Sequence, residues 1–235
     1  MAAPNSPPQD QPAQRPTTRL ILICSGLLVF CGLFLFLDQA YYRFIAAHFP
    51  DVGTSAWMAT AFGVASRAHW ILLITAVAIW RPRLLGLRLG DSVARWRLIA
   101  VLLAINLGLV GAYLALSGNA TPYSGNQWLV TEVVTVPLVE ELFWRGLVFS
   151  ILLGVLRTAF AVRASTNGAV WLSGIAFGLL HAGNALAGVP LPFVAIQTLS
   201  ALVWGVMYGY ARARTGSVYP PLLLHAAMNL LVVAF

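Results

Sequence analysis

The second half of this sequence carries six polar side chains of types that could hydrolyse an amide bond, all within apolar surroundings. Glu140 and Glu141 are adjacent, and Arg145 follows four residues after the second. A helix places residues four apart on one face, so Glu141 can pair with Arg145. Glu140 is then rotated by about 100° and can face a cavity as a general base. The alternative is that both carboxylates share Arg145 as a buried polar clamp.

Two further motifs place imidazoles and an amide on helix faces. Phe177 and His181 are four residues apart, as are His225 and Asn229. His225 and Asn229 can both donate hydrogen bonds to a developing negative oxygen. Each motif alone is also typical of hydrogen bonds between packed helices. Taken together, the three motifs supply a base and oxyanion donors, which amide hydrolysis requires.

The elements that carry these motifs are too apolar for a water-soluble protein. The chain has 235 residues, of which 60% are hydrophobic and 9% are charged, whereas a soluble domain is about one quarter charged. Lipid must therefore cover most of its surface. The net charge of +7 does not indicate nucleic-acid binding, because the arginines lie in short segments between apolar runs. Ionisable groups at bilayer depth cost about 2.5–3.5 kcal/mol each, so they mark a functional site.

The apolar runs predict an all-α fold, a polytopic transmembrane helix bundle of about seven spans. Basic and non-basic loops alternate between the runs, which predicts a cytoplasmic N-terminus and an outside C-terminus. The least regular run is interrupted by Arg67 and His69, which we expect to flank a helix break or to reach the headgroups. Glu132 is expected near the outer headgroups. The predicted spans are 20–37, 56–80, 98–116, 127–156, 169–186, 193–211 and 218–235.

The chain divides into three predicted regions. Residues 1–19 are polar and rich in Pro and Gln, which is typical of a disordered cytoplasmic tail. Residues 20–116 form the N-terminal transmembrane helices. They include a basic amphipathic segment at 81–97 whose five arginines favour a position at lipid headgroups. Residues 126–235 form the region that carries the three polar motifs.

The three motifs, in this order, resemble the CPBP family of CAAX proteases and bacteriocin-processing enzymes, also called Abi. The resemblance covers about residues 126–235 and includes the stretch TGSVYPPLLLHAAMN. It implies an intramembrane endopeptidase built around a four-helix catalytic core. It also implies that Glu140 activates the attacking water, which His181 helps to hold or deprotonate. The implied oxyanion hole is His225 with Asn229, and the implied supporting pair is Glu141 with Arg145.

The resemblance also implies a glutamate-type hydrolase that needs no metal or other cofactor. The alternative is a zinc site formed by Glu140, His181 and His225, with Glu141 as the base. The chain contains no HExxH motif of the kind that binds zinc on one helix.

The predicted activity is hydrolysis of a peptide bond near the C-terminus, or in a membrane-proximal region, of a peptide or protein. The predicted partners are this substrate and the lipid bilayer, and the predicted location is a bacterial inner membrane. Two alternatives keep the fold without proteolysis. One is a small proton-coupled transporter that uses buried Glu and His, and the other is an immunity or scaffold protein. The absence of paired repeats in the sequence favours the protease over the transporter.

Overall fold

The regular elements of the protein are all helices over the residues that the computed structural model describes, 16–117 and 125–235. This confirms the all-α prediction. Residues 1–15 of the predicted tail lie outside the described residues. Residues 16–19, the rest of the predicted tail, belong to the first helix. The helices are α1 (Pro16–Ala46), α2 (Ala56–Ser66), α3 (Ala68–Trp80), α4 (Trp96–Ser117), α5 (Val136–Glu141), α6 (Phe149–Arg157), α7 (Val162–His181), α8 (Leu191–Thr215) and α9 (Tyr219–Ala234).

Four helices in the described ranges are long and apolar enough to cross a membrane. They are α1, α4, α8, and α7 with its 3₁₀ extension to Ala187. The pair α2 and α3 meets the same criterion only as one bent span, which would make five. The last helix, α9, is apolar but has 16 residues. The membrane-spanning character is therefore confirmed, whereas the predicted count of seven spans is not.

The predicted span 56–80 is broken at Arg67, where α2 and α3 meet at 61°. Arg67 has φ −111° and ψ 9°, outside the helical region, which confirms the prediction that it flanks a break. His69 packs inward: its Nε2 lies 3.0 Å from Oδ1 of Asp38, and Trp70 Nε1 donates to the same oxygen at 2.7 Å. These bonds tie α3 to α1.

The predicted span 127–156 contains two wide, π-helical segments, Thr131–Thr135 and Leu142–Val148, on either side of α5. Pro137 explains the first segment, because proline has no N–H for the carbonyl four residues before it. The N–H of Val136 instead donates a hydrogen bond to the carbonyl of Thr131, five residues earlier in the chain. Wide turns of this kind occur mostly inside helices and frequently at functional sites.

Glycines four residues apart on each helix, Gly174 and Gly178 on α7 and Gly205 and Gly209 on α8, let the two helices pack with their backbones in contact. A Cβ on Gly205 would lie 2.5 Å from the carbonyl oxygen of Gly174, and a Cβ on Gly178 would lie 2.5 Å from Leu202 Cγ. Any side chain at these positions would therefore push the two helices apart. The close contact holds α8 beside the polar motifs of α5 and α7.

The basic segment 81–97 is a short 3₁₀ helix followed by turns, rather than one amphipathic helix. Most of its arginines are exposed, together with Leu89, Val93 and Trp96. Its backbone is held by the second half of the chain: Val218 N–H donates to Gly86 O at 3.0 Å. The segment therefore combines exposed positive charge with exposed apolar side chains, as binding to headgroups requires.

Candidate active site

The four side chains predicted to be catalytic line one cavity of about 310 Å³. Residues of α1, α5, α7, α8 and α9 form its wall, so the packing of these helices brings together motifs that are far apart in the sequence. The predicted catalytic members of the wall are Glu140, His181, His225 and Asn229.

Glu141 forms the centre of a buried ionic network beneath the cavity. Arg145 Nη1 donates to Oε1 of Glu141 at 3.2 Å, and both side chains are completely buried. The pair predicted from their four-residue spacing is therefore present. His225 Nδ1 lies 2.8 Å from the same oxygen, so Glu141 also holds the ring of a residue from another helix. Removing Glu141 or Arg145 would leave the charge of the other side chain buried without the opposite charge that now lies beside it.

Arg145 is held from two further sides. Its Nη2 donates to the carbonyl of Gly205 at 3.2 Å, and its guanidinium carbon lies 4.2 Å from the centre of the Phe177 ring. Among the described residues, no hydrogen bond or ion pair joins Arg145 to Glu140, so the alternative of a clamp shared by both carboxylates is not formed.

Glu140 and Glu141 lie in different surroundings although they are adjacent. Glu141 has no exposed surface. Glu140 is half-buried and lines the cavity, as its rotation on the helix predicts. One carboxylate is therefore fixed by two positively charged or protonatable partners, and the other is available to a molecule in the cavity.

His181 ends α7, and the chain continues as a 3₁₀ helix over Ala182–Ala187. The predicted continuation of the helix past His181 is therefore present. The Nδ1 atom of His181 lies 2.9 Å from the carbonyl oxygen of Phe177. Because a carbonyl only accepts hydrogen bonds, Nδ1 carries the proton, and Nε2 of the neutral ring has a lone pair for a cavity ligand.

Asn229 is held by the first wide turn. Its Nδ2 donates to the backbone carbonyl of Glu132 at 2.6 Å. A primary amide has two N–H donors, so the second one stays available on the cavity side. His225, four residues earlier on α9, lies on the same face.

Four polar residues of this region were not predicted from the sequence to belong to it: Arg67, Asn106, Glu132 and Tyr208. Glu132, expected near the outer headgroups, is half-buried in the cavity wall. Tyr208 is fully buried, with its ring 5.6 Å from that of His225. The Tyr208 hydroxyl donates to Oδ1 of Asn106, whose amide donates to Leu224 O at 2.8 Å. Asn106 is a lone amide within the otherwise apolar span 98–116, and this was the feature of the sequence that could have indicated a buried polar contact there.

The alternative prediction of a zinc site concerns Glu140, His181 and His225, which all line the cavity. In the described part of the chain, no group of three or more His, Cys, Asp or Glu side chains could hold a metal ion.

Comparison with known protein families gives one match. Residues 123–231 match the family model described as type II CAAX prenyl endopeptidase Rce1-like. The match confirms the resemblance to CAAX proteases, and with the apolar helices it points to an integral membrane protein. It includes every predicted site residue, whereas α1 to α4 lie outside it. No curated protein and no solved structure was found to match the chain.

Proposed function

We propose, from the match of residues 123–231 to the family model described as type II CAAX prenyl endopeptidase Rce1-like, that this protein is an intramembrane endopeptidase that uses water activated by glutamate. The observation that carries the proposal is the single cavity that Glu140, His181, His225 and Asn229 line together. Cleavage occurs near the C-terminus, or in a membrane-proximal region, of a peptide or protein substrate.

Glu140 and His181 activate the water. The lone pair on His181 Nε2 accepts one hydrogen of the water and fixes its position, while the Glu140 carboxylate takes the other proton as the oxygen attacks the peptide carbonyl. The availability of the Glu140 carboxylate at the cavity surface supports this role. When the C–N bond breaks, Glu140 returns the proton to the leaving amine. The net reaction adds one water and releases a carboxylic acid and an amine.

His225 and Asn229 stabilise the negative oxygen of the tetrahedral intermediate. The Glu141 carboxylate accepts the Nδ1–H of His225 at 2.8 Å and orients the ring, as the carboxylate of a catalytic triad orients its imidazole and offsets the charge of the doubly protonated form. The Nε2–H of His225 and the second amide N–H of Asn229 then donate to the oxyanion. Fixed donors of this kind stabilise the transition state without reorganisation.

The proposed substrate class is a prenylated cysteine followed by a short C-terminal tail. The family description supports this class, and so does the cavity wall, since large apolar rings surround the polar side chains. These rings belong to Phe34, Trp70, Trp144, Phe177 and Phe193. An apolar wall with a few convergent polar groups is typical of sites that bind an apolar ligand in one orientation.

A quenched fluorescent peptide with a farnesylated cysteine near its C-terminus tests the proposal in proteoliposomes. Glu140→Gln keeps the shape of the side chain and removes the base, so cleavage should fall by at least about 10²-fold. Asp91→Asn is the matched control, because Asp91 is an exposed carboxylate on the segment 81–97. Equal cleavage by Glu140→Gln and wild type would refute the proposal. Proton flux that depends on Glu140, without cleavage, would support the transporter instead.

A further inference from the structure

Arg67 places a positive charge in the cavity wall from outside the region that matches the family. It lies at the break between α2 and α3 and is half-buried. Its Nη1 donates to Gly63 O at 3.4 Å and to Ser66 Oγ at 3.3 Å. Both distances are at the long end for hydrogen bonds, and both acceptors belong to α2. The guanidinium is therefore weakly held by α2, the helix that precedes Arg67.

The charge of Arg67 has no ion-pair partner in the described ranges. The ion pairs formed there are His69–Asp38, Arg95–Asp91, Arg145–Glu141 and His225–Glu141. Glu132 lies in the same cavity wall, but it forms no ion pair with Arg67 in the described residues. A guanidinium in a largely apolar cavity, with most of its donors unused, is suited to bind a planar anion through two parallel N–H bonds.

Arg67 and the proposed catalytic carboxylate, Glu140, line the same cavity of about 310 Å³. Pockets of this size hold small ligands, and three residues of extended peptide span about 10 Å. A short tail cut beside Glu140 would lie in this cavity, where Arg67 is the arginine of the wall.

We propose that Arg67 binds the free α-carboxylate at the C-terminus of the substrate, and that it thereby sets how many residues the cleaved tail contains. The inference builds on the proposed proteolysis, and it assigns the recognition of the chain end to the N-terminal helices. The guanidinium is a binding group and takes no part in proton transfer.

Two forms of one probe test the proposal: a farnesylated peptide that ends in Cys-Val-Ile-Met as the free acid, and the same peptide as the C-terminal carboxamide. Wild-type protein should prefer the acid by at least about tenfold in kcat/KM, or about 1.4 kcal/mol. In Arg67→Gln the ratio of acid to amide should fall to about one. Arg67→Lys keeps the charge without the planar fork and should give an intermediate ratio. Arg163→Gln, at an exposed arginine on α7, should keep the wild-type ratio.

Binding to the Glu140→Gln protein measures the same preference without turnover. Acid-selective binding that is lost on adding Arg67→Gln supports the proposal, even where no cleavage occurs and the proposed function fails. Cleavage that depends on Glu140 but does not distinguish acid from amide overturns the proposal and leaves the protease standing. An unchanged ratio in Arg67→Gln, as a merely structural role would give, also overturns it. Binding of neither peptide overturns it as well.

Discussion

The buried pair of Glu141 and Arg145 should stabilise the protein only while both charges are present. Each side chain has no exposed surface, and the two atoms Nη1 and Oε1 are 3.2 Å apart. Glu141→Met leaves the arginine charge buried without its partner, and Arg145→Met leaves the carboxylate with His225 alone. Breaking a buried pair from one side costs about 3–5 kcal/mol. For a chain of this length, that loss lowers Tm by roughly 6–20 °C.

The double variant Glu141→Met/Arg145→Met removes both charges and keeps a similar side-chain volume. Replacing a buried pair by apolar groups is often neutral in free energy. We therefore expect the double variant to be more stable than either single variant, which requires a coupling free energy of at least about 3 kcal/mol. Peptide cleavage should not recover with stability, because His225 still lacks the carboxylate that holds its ring.

Thermal unfolding in one detergent and cleavage of the farnesylated peptide measure the two effects separately. Glu132→Gln is the control for loss of a carboxylate in the same helical segment, since no ion pair includes Glu132 in the described residues. If both single variants unfold at the wild-type temperature, the pair contributes nothing. If the double variant loses as much free energy as the two single variants combined, Glu141 and Arg145 are not coupled.

Three further predictions concern the oxyanion donors, the metal question and helix packing. Asn229→Ala should lower kcat by about 10²–10³-fold with a small change in KM; a change in KM alone would assign Asn229 to substrate binding. Activity of a metal-free preparation should persist in a chelator, whereas loss on chelation with rescue by zinc would establish a metal mechanism. Gly205→Leu should lower the free energy of unfolding by about 1–3 kcal/mol, measured by thermal unfolding, because a Cβ at this position would lie 2.5 Å from the Gly174 carbonyl oxygen. Gly154→Leu is its control, since nothing lies within 4 Å of a Cβ there.

The features that the sequence predicted correctly depend on local geometry and composition. The four-residue spacing of Glu141 and Arg145 requires only a helical turn to bring the side chains together. The rotation between Glu140 and Glu141 likewise follows from the helix alone. The membrane-spanning character follows from the low charge content. In each case the contributing residues are close in sequence, so no tertiary contact had to be known.

The features that the sequence did not predict depend on contacts between distant helices. Glu141 and His225 are 84 residues apart, and nothing in either motif indicates that the histidine would pair with the buried carboxylate. The position of Arg67 in the cavity wall accompanies the 61° bend and the packing of α2 against the first wide turn, where Thr131 Oγ1 donates to Ala59 O at 2.9 Å. A lone Arg in an apolar run is compatible with a helix end at the headgroups, which is why its cavity position could not be anticipated.

The two wide turns flank the short helix that presents the two adjacent carboxylates, and they help to fix its orientation. A wide turn accommodates an extra residue and so rotates the following residues relative to a regular helix. Both turns also carry carbonyls that accept side-chain donors: Glu132 O accepts from Asn229, and Arg145 O accepts from Arg212 Nε at 2.9 Å. The helix that supplies Glu140 and Glu141 is therefore tethered on both sides to α8 and α9. Rotation of Glu140 away from the cavity would break these bonds, so the backbone irregularity itself keeps the proposed base in position.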